Sequence, residues 1–232
     1  MNSEPTRPDL FARAHSAARD AFVAGLDQAE RNEWPYDFRN TAHDGQLPPE
    51  CDWRIWLMMA GRGFGKTRAG AEWVRDIAET NRDARVALVA ASLGEARAVM
   101  VEGDSGIRAC SPPDRRPEWK AGERKLIWHN GAVAQAFSAH DPEGLRGPQF
   151  DAAWVDELAK WKKARETWDM LQFALRLGEH PQVCVTTTPR NVGILKELLE
   201  LPSTVVTRAK TEANRANLAE SFLEEVRARY GN

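Results

Sequence analysis

The sequence predicts a three-layer α/β fold with a mostly parallel central sheet, preceded by an N-terminal helix. Three observations carry that expectation. Short apolar runs of strand length recur along the chain, and most are followed by a stretch with helical periodicity. One strand–helix junction is built from closely spaced glycines. The longest apolar runs, IWLMMA (55–60) and VALVAA (86–91), are far too short to span a bilayer.

Taken in order, residues 1–9 are polar, contain Pro5 and Pro8, and read as a tail. Residues 10–30 read as an amphipathic helix, with Leu10, Phe11, Ala14, Ala18, Phe22 and Leu26 at helical spacing. Residues 31–52 read as irregular, broken by Pro35, Gly45, Pro48 and Pro49. WRIWLMMA (53–60) is a buried parallel strand, followed by a glycine-rich turn at 61–65 and a helix at 67–81. RVALVAAS (85–92) is a second buried strand, 93–103 a helix, and 104–122 a loop holding Pro112, Pro113 and Pro117. Residues 124–139 form a hairpin around His129-Asn130-Gly131. A strand at 150–157 ends in two carboxylates. A helix at 163–178, a strand at 182–189, a helix at 193–201, a strand at 203–210 and a helix at 214–232 complete the order. The organisation expected is a tail and helix over 1–32, one α/β domain over 33–211 and a helical segment over 212–232.

Composition narrows the function. A chain of 232 residues suffices for one α/β domain with a small helical extension. It holds 32 Lys and Arg against 34 Asp and Glu, a net charge of −2. A protein held to nucleic acid by overall charge would be far more basic, so any DNA contact has to come from a local patch or another part of the protein. Cys51, Cys110 and Cys184 are widely spaced, which argues against a disulfide framework and a zinc ribbon. The N-terminus lacks an apolar signal core. A reduced, cytoplasmic protein is expected.

AGRGFGKT (60–67) has the spacing of a phosphate-binding loop, with Ala60 where the usual pattern has glycine. Gly61, Gly63 and Gly65 let the backbone turn its N–H groups toward an anion. The helix beginning near Lys66 offers its positive end to phosphate. Lys66 would reach the β and γ oxygens, and the Thr67 hydroxyl would take Mg²⁺. With Arg62 and Phe64, these residues form the expected nucleotide-binding loop. Arg62 is either a solvated loop residue or a cation near the γ-phosphate.

Phe150 to Val155 lead into Asp156-Glu157. A buried strand ending in Asp holds Mg²⁺ in this class of site. The adjacent Glu157 can polarise a water for attack on the γ-phosphate, which points to ATP hydrolysis. Asp151 lies at the strand's other end. No Asn-Lys-x-Asp guanine reader occurs. Downstream, CVTTTPR (184–190) runs into Thr186, Thr187 and Thr188, whose hydroxyls can reach the γ-phosphate or the catalytic carboxylate. Lys160, Lys162, Lys163 and Arg165 read as a solvated face or as a patch touching DNA phosphates.

Together, WRIWLMMAGRGFGKTRAGAEW, ASLGEARAVMVEG, HDPEGLRGPQFDAAWVDELAKW and TTTPR resemble the large terminase subunit of tailed bacteriophages and gene transfer agents, over roughly 33–232. The resemblance implies an ATPase domain of the additional-strand, catalytic-Glu (ASCE, RecA-like) phosphate-loop type. It also implies a motor that drives double-stranded DNA through a portal into a procapsid, using ATP and Mg²⁺. The implied partners are DNA, portal, procapsid, the small terminase subunit and further copies of the chain in a ring, with a monomer in isolation and no membrane. By position, Lys66 and Thr67 match the phosphate and Mg²⁺ residues, and Arg62 an arginine carried within this loop. Asp156 and Glu157 match the metal and catalytic positions, and Thr186 to Thr188 the coupling motif. Arg97 resembles an arginine finger given to a neighbouring subunit, with Arg146 the competing candidate. Gln46 resembles an adenine-reading glutamine. The family continues into a nuclease domain, so 212–232 reads as a lid or linker toward it and no nuclease activity is expected here. The rival reading is a nucleotide-gated DNA-binding or scaffold module with no significant hydrolysis of its own.

Overall fold

The computed structural model describes residues 21–209. The rest of the expected 10–30 helix, the 214–232 helix and the 212–232 segment lie outside the described residues. Eight strands form one sheet: β1 (Ile55–Ala60), β2 (Arg85–Ala90), β3 (Glu118–Lys120), β4 (Lys125–Ile127), β5 (Val133–Ser138), β6 (Ala152–Asp156), β7 (Gln182–Thr187) and β8 (Thr204–Ala209). Their order is β3-β4-β5-β2-β6-β7-β1-β8. The six strands from β5 to β8 in that order pair in parallel, and β3 and β4 add antiparallel at one edge.

Continuous apolar strands are needed because both faces of the sheet are covered. Trp56, Met58, Leu88, Trp154 and Cys184 point into one core with helix α2 (Lys66–Thr80) and the short α4 (Ile107–Cys110). Ile55, Leu57, Val89, Val155 and Val185 point into the other with α5 (Ala164–Ala174) and α6 (Gly193–Glu200). That is the expected three-layer α/β arrangement, and the parallel strands β1, β2, β6, β7 and β8 lie within two residues of their expected ranges.

Helix α2 sits close to the sheet at Gly70. A Cβ there would fall 2.3 Å from the indole of the fully buried Trp154. A glycine inside a helix costs about 1 kcal/mol relative to alanine; here it makes room for that indole.

Five local expectations are corrected. The helix expected over 10–30 is interrupted at Gly25–Leu26, and a new one, α1 (Gln28–Glu33), starts there. The cause is a capping box: Asp27 accepts from the N–H of Glu30, whose carboxylate accepts from that of Asp27. The irregular stretch 31–52 contains single 3₁₀ turns at Trp34–Tyr36, Phe38–Asn40 and Asp44–Gln46. The loop expected at 104–122 contains α4 and β3. The helix expected at 93–103 begins as α3 (Leu93–Glu95) but continues as a π-helical stretch, Ala96–Val101. The helix at 163–178 stops at Ala174, because Leu175 pairs with Phe150 as an isolated bridge. Among the described residues, no helix is long and apolar enough to cross a membrane.

Candidate active site

The register of three neighbouring strands builds the site. Thr186 on β7 pairs with Met58 on one side and Asp156 on the other. The C-terminal ends of β1, β7 and β6 therefore finish side by side. The loop after β1, the carboxylates after β6 and the threonines of β7 meet at the sheet's carboxyl edge, where open α/β sheets bind ligands.

The glycine loop turns there through left-handed backbone at Gly63 (φ 78°) and Gly65 (φ 91°), which glycine adopts without steric cost. No side chain caps the N-terminus of α2, so its first N–H groups are left for a ligand. Lys66 is buried, and its ammonium donates to the carbonyls of Ala60 (2.8 Å) and Gly61 (3.0 Å). Burial lowers its pKa, an effect opposed by Glu157 and Asp156. Phe64 is fully buried, edge-on to the His43 ring, and anchors the loop from below.

Asp156 is buried, and its carboxyl is pushed up to about 6, chiefly by desolvation and against the Thr186 hydrogen bond. The Thr186 hydroxyl donates to Asp156 Oδ1 (2.8 Å) and accepts from the Trp154 indole N–H (2.9 Å). Glu157 follows in left-handed backbone (φ 52°). Its N–H donates to the Thr186 carbonyl, and its two carboxylate oxygens accept from the hydroxyl (3.1 Å) and N–H (3.3 Å) of Thr188. Thr187 Oγ1 accepts from the N–H of Ala159. The three threonines thus hold three different parts of the carboxylate strand end: the buried Asp, the following turn and the Glu.

These groups line an open cleft of about 1050 Å³. Arg62, Gly63, Gly65, Lys66 and Thr67 line it, together with Asp156 and Glu157. Pro35, Phe38, Thr41 and Gln46 also line it, as do Val99 and residues 103–105. Gln46 is buried, donates through Nε2 to the Gly65 carbonyl (3.3 Å) and accepts through Oε1 from the His43 N–H. It braces the loop as well as lining the cleft. The two remaining arginine candidates lie elsewhere. Arg97 is exposed and paired with Glu102, and Arg146 is exposed and paired with Glu143; neither lines this cleft.

Two features have no place in the sequence reading, and a third, Lys160, is expected there only as part of a solvated or DNA-facing basic patch. The 35–46 segment as cleft lining is a tertiary placement with no local signal. Arg68 also lines the cleft; its guanidinium lies over the Phe38 ring at 5.8 Å and pairs with the buried Glu72. Lys160 lines the cleft beside Glu157, and its spacing of three from Glu157 is the available signal.

The residues fit a magnesium-bound nucleoside triphosphate. An uncapped helix N-terminus and the cationic Arg62, Lys66, Arg68 and Lys160 border one cleft, an environment suited to a polyanion. A buried, desolvated carboxylate lining the same cleft as Thr67 suits a hydrated divalent cation.

The sequence matches, over residues 57–231, the family described as terminase large subunit, T4likevirus-type, N-terminal. The fold is similar to that of a large terminase from a thermophilic bacteriophage in complex with ATP-γ-S. The TM-score is 0.63 and identity 12%, over 87% of this chain and 49% of that one. It is also similar to the large terminase ATPase domain of Thermus phage P74-26, with TM-score 0.59 and identity 13%, over 79% of this chain and 86% of that one. The N-terminal domain of the DNA packaging ATPase from bacteriophage phi29 gives TM-score 0.51 and 12% identity over 68% of this chain and 91% of that one. The chain spans about half the length of the first of these terminases.

Proposed function

The chain belongs to the terminase large subunit family, and from that premise we propose that it is the Mg²⁺-dependent ATPase of a motor that drives double-stranded DNA into a viral or virus-like capsid. One observation carries the hydrolytic part. Asp156 and Glu157 end a strand facing the phosphate loop, and each is held by a hydroxyl of the neighbouring β7 segment. Mg²⁺, when bound with ATP, neutralises charge on the β and γ oxygens. Thr67 and Asp156 would hold it. Lys66 and the N–H groups at the start of α2 grip the phosphates. Glu157 takes a proton from water as its oxygen attacks the γ-phosphorus and the bond to the β-phosphate oxygen breaks, leaving ADP and phosphate.

Thr188 supports a coupling role for the 186–188 segment. It holds both Glu157 oxygens, so engaging a water there changes contacts at the end of β7. Arg62 supplies a cation from the same chain, and a neighbour in the ring supplies an arginine finger, Arg97 or the competing Arg146. Such a finger is worth about 10³–10⁵ in rate. The partners consistent with this reading are DNA, portal, procapsid, small subunit and further copies of the chain in the host cytoplasm. On this reading, 33–211 is the ATPase domain and 212–232 a lid or linker segment.

The test is phosphate release from Mg-ATP across a wide range of protein concentration, with Glu157→Gln as the control. Turnover per chain that rises with concentration and vanishes in the variant supports an ATPase completed by its neighbour. Release that is absent, or indifferent to Glu157→Gln, favours a nucleotide-gated binding or scaffold module instead.

A further inference from the structure

The turn that follows Glu157 is a single 3₁₀ turn, Leu158–Lys160, closed by the Lys160 N–H donating to the Glu157 carbonyl at 2.8 Å. Glu157, the residue before the turn, and Lys160, its last residue, both line the cleft. Leu158 and Ala159, between them, are buried in the core. The turn is amphipathic: its buried pair anchors it, and the residues on either side present an acid and a base to the nucleotide site.

Three contacts fix its position. The Ala159 N–H donates to Thr187 Oγ1 at 3.2 Å. The buried Trp161 indole N–H donates to the Asp156 carbonyl at 3.1 Å. The Glu157 N–H donates to the Thr186 carbonyl. A lysine on a mobile loop would lose much of its binding energy to ordering. The backbone of Lys160 is already tied to the metal-binding strand end and to β7.

The charge pattern shows what Lys160 faces. Among the described residues its side chain is exposed and makes no ion pair, whereas Arg97 and Arg146 are each neutralised by a glutamate of their own segment. Lys160 lines the same cleft as Lys66 and Asp156. A second cation brought near Lys66 is repelled unless an anion sits between them. Lys160 lines the cleft together with Asp156, Glu157 and the phosphate-loop residues Arg62, Gly63, Gly65, Lys66 and Thr67.

We propose that Lys160 is a phosphate-binding residue acting within its own chain, whose ammonium contacts the terminal phosphoryl oxygens of a nucleoside triphosphate opposite Lys66. The proposal rests on the ATPase reading above. It gives the site a permanent cation at the γ position that needs no neighbouring subunit. It makes Lys160 a determinant of discrimination between triphosphate and diphosphate.

The test is calorimetric binding of ATP-γ-S and of ADP, each with Mg²⁺, to the unsubstituted protein and to Lys160→Ala, Lys160→Arg and Lys162→Ala. A charge-assisted contact to the terminal phosphate predicts that Lys160→Ala weakens ATP-γ-S about tenfold or more and leaves ADP within about twofold. Lys160→Arg retains most of the preference, and Lys162→Ala, exposed on the adjacent segment, behaves as wild type. Equal weakening of both ligands, or of neither, overturns the assignment of Lys160. Failure of the unsubstituted protein to bind either nucleotide overturns the ATPase reading instead. Binding without Glu157-dependent hydrolysis removes the ATPase but leaves the Lys160 ratio as a valid readout.

Discussion

Gly70→Ala is the substitution whose consequence follows most directly from the packing. The added methyl would lie 2.3, 2.4 and 2.7 Å from three atoms of the Trp154 indole. That ring has no accessible surface, and its N–H is bonded to Thr186, so it cannot rotate away cheaply. Overpacking a tight core costs about 1–3 kcal/mol, and an overlap this deep against a fixed aromatic belongs near the top, about 3 kcal/mol. Alanine regains about 1 kcal/mol of helix propensity. The net expectation is a loss of about 2 kcal/mol. At about 2–4 °C per kcal/mol for a domain of this size, that lowers Tm by about 4–8 °C in thermal unfolding followed by circular dichroism. The displaced indole also pulls on Thr186 and so on Asp156, and Mg-nucleotide affinity should fall beyond what the lost stability explains. Trp154→Phe shortens the ring at the point of overlap. The double variant should therefore be less destabilised than the sum of the two single changes, by about 1 kcal/mol or more. An unchanged or raised Tm for Gly70→Ala, or strict additivity in the double variant, would refute this account of the helix–sheet contact.

Asp156→Asn should trade function for stability. The Asp156 carboxyl is raised to about 6, so the folded protein keeps a proton that the unfolded chain releases from about pH 4 upward. Stability from this group therefore falls as pH rises from about 4 to 6. The asparagine variant should unfold at a higher temperature than wild type at about pH 8, with the gap closing as pH drops through that window, while Mg-nucleotide binding is lost. Glu72 is buried between Arg68 and Arg75, and Arg75 also donates to the Tyr36 carbonyl, tying α2 to the 35–46 segment. Glu72→Ala should cost about 3 kcal/mol in urea unfolding, because it strands two partly buried cations. Mixing Glu157→Gln with Arg97→Ala, each inactive alone, should restore turnover if Arg97 serves a neighbour; the same mixture with Arg146→Ala decides between the two arginines.

The parts of the site that are legible in the sequence are those whose chemistry is local. Glycines at alternate positions before Lys66-Thr67, and two acids at the end of an apolar strand, need no knowledge of distant residues. Phe64 stands among the phosphate-binding residues by position alone; a lone aromatic among glycines is an anchor, and its apolarity is the clue. Gln46 and Phe38 reach the cleft only because the 35–46 segment folds back over a loop that lies well downstream, which no periodicity records. Lys160 is hidden by its neighbours: with Lys162, Lys163 and Arg165 it resembles one basic face. The 3₁₀ turn, a result of the left-handed step at Glu157, separates it from them.

The last described strand has a mechanical consequence. β8 runs parallel to β1 in register from Ile55↔Thr204 to Ala60↔Ala209, and the Trp56 indole N–H bonds the Thr207 hydroxyl across the pair. Backbone leaving Ala209 departs level with the residue that opens the phosphate loop, one strand spacing of about 4.8 Å away. The connection between them is a ladder of hydrogen bonds with no slack. Any motion of the loop has a short, stiff path to the chain beyond Ala209, as a crank pin fixed close to its shaft passes on small strokes without play.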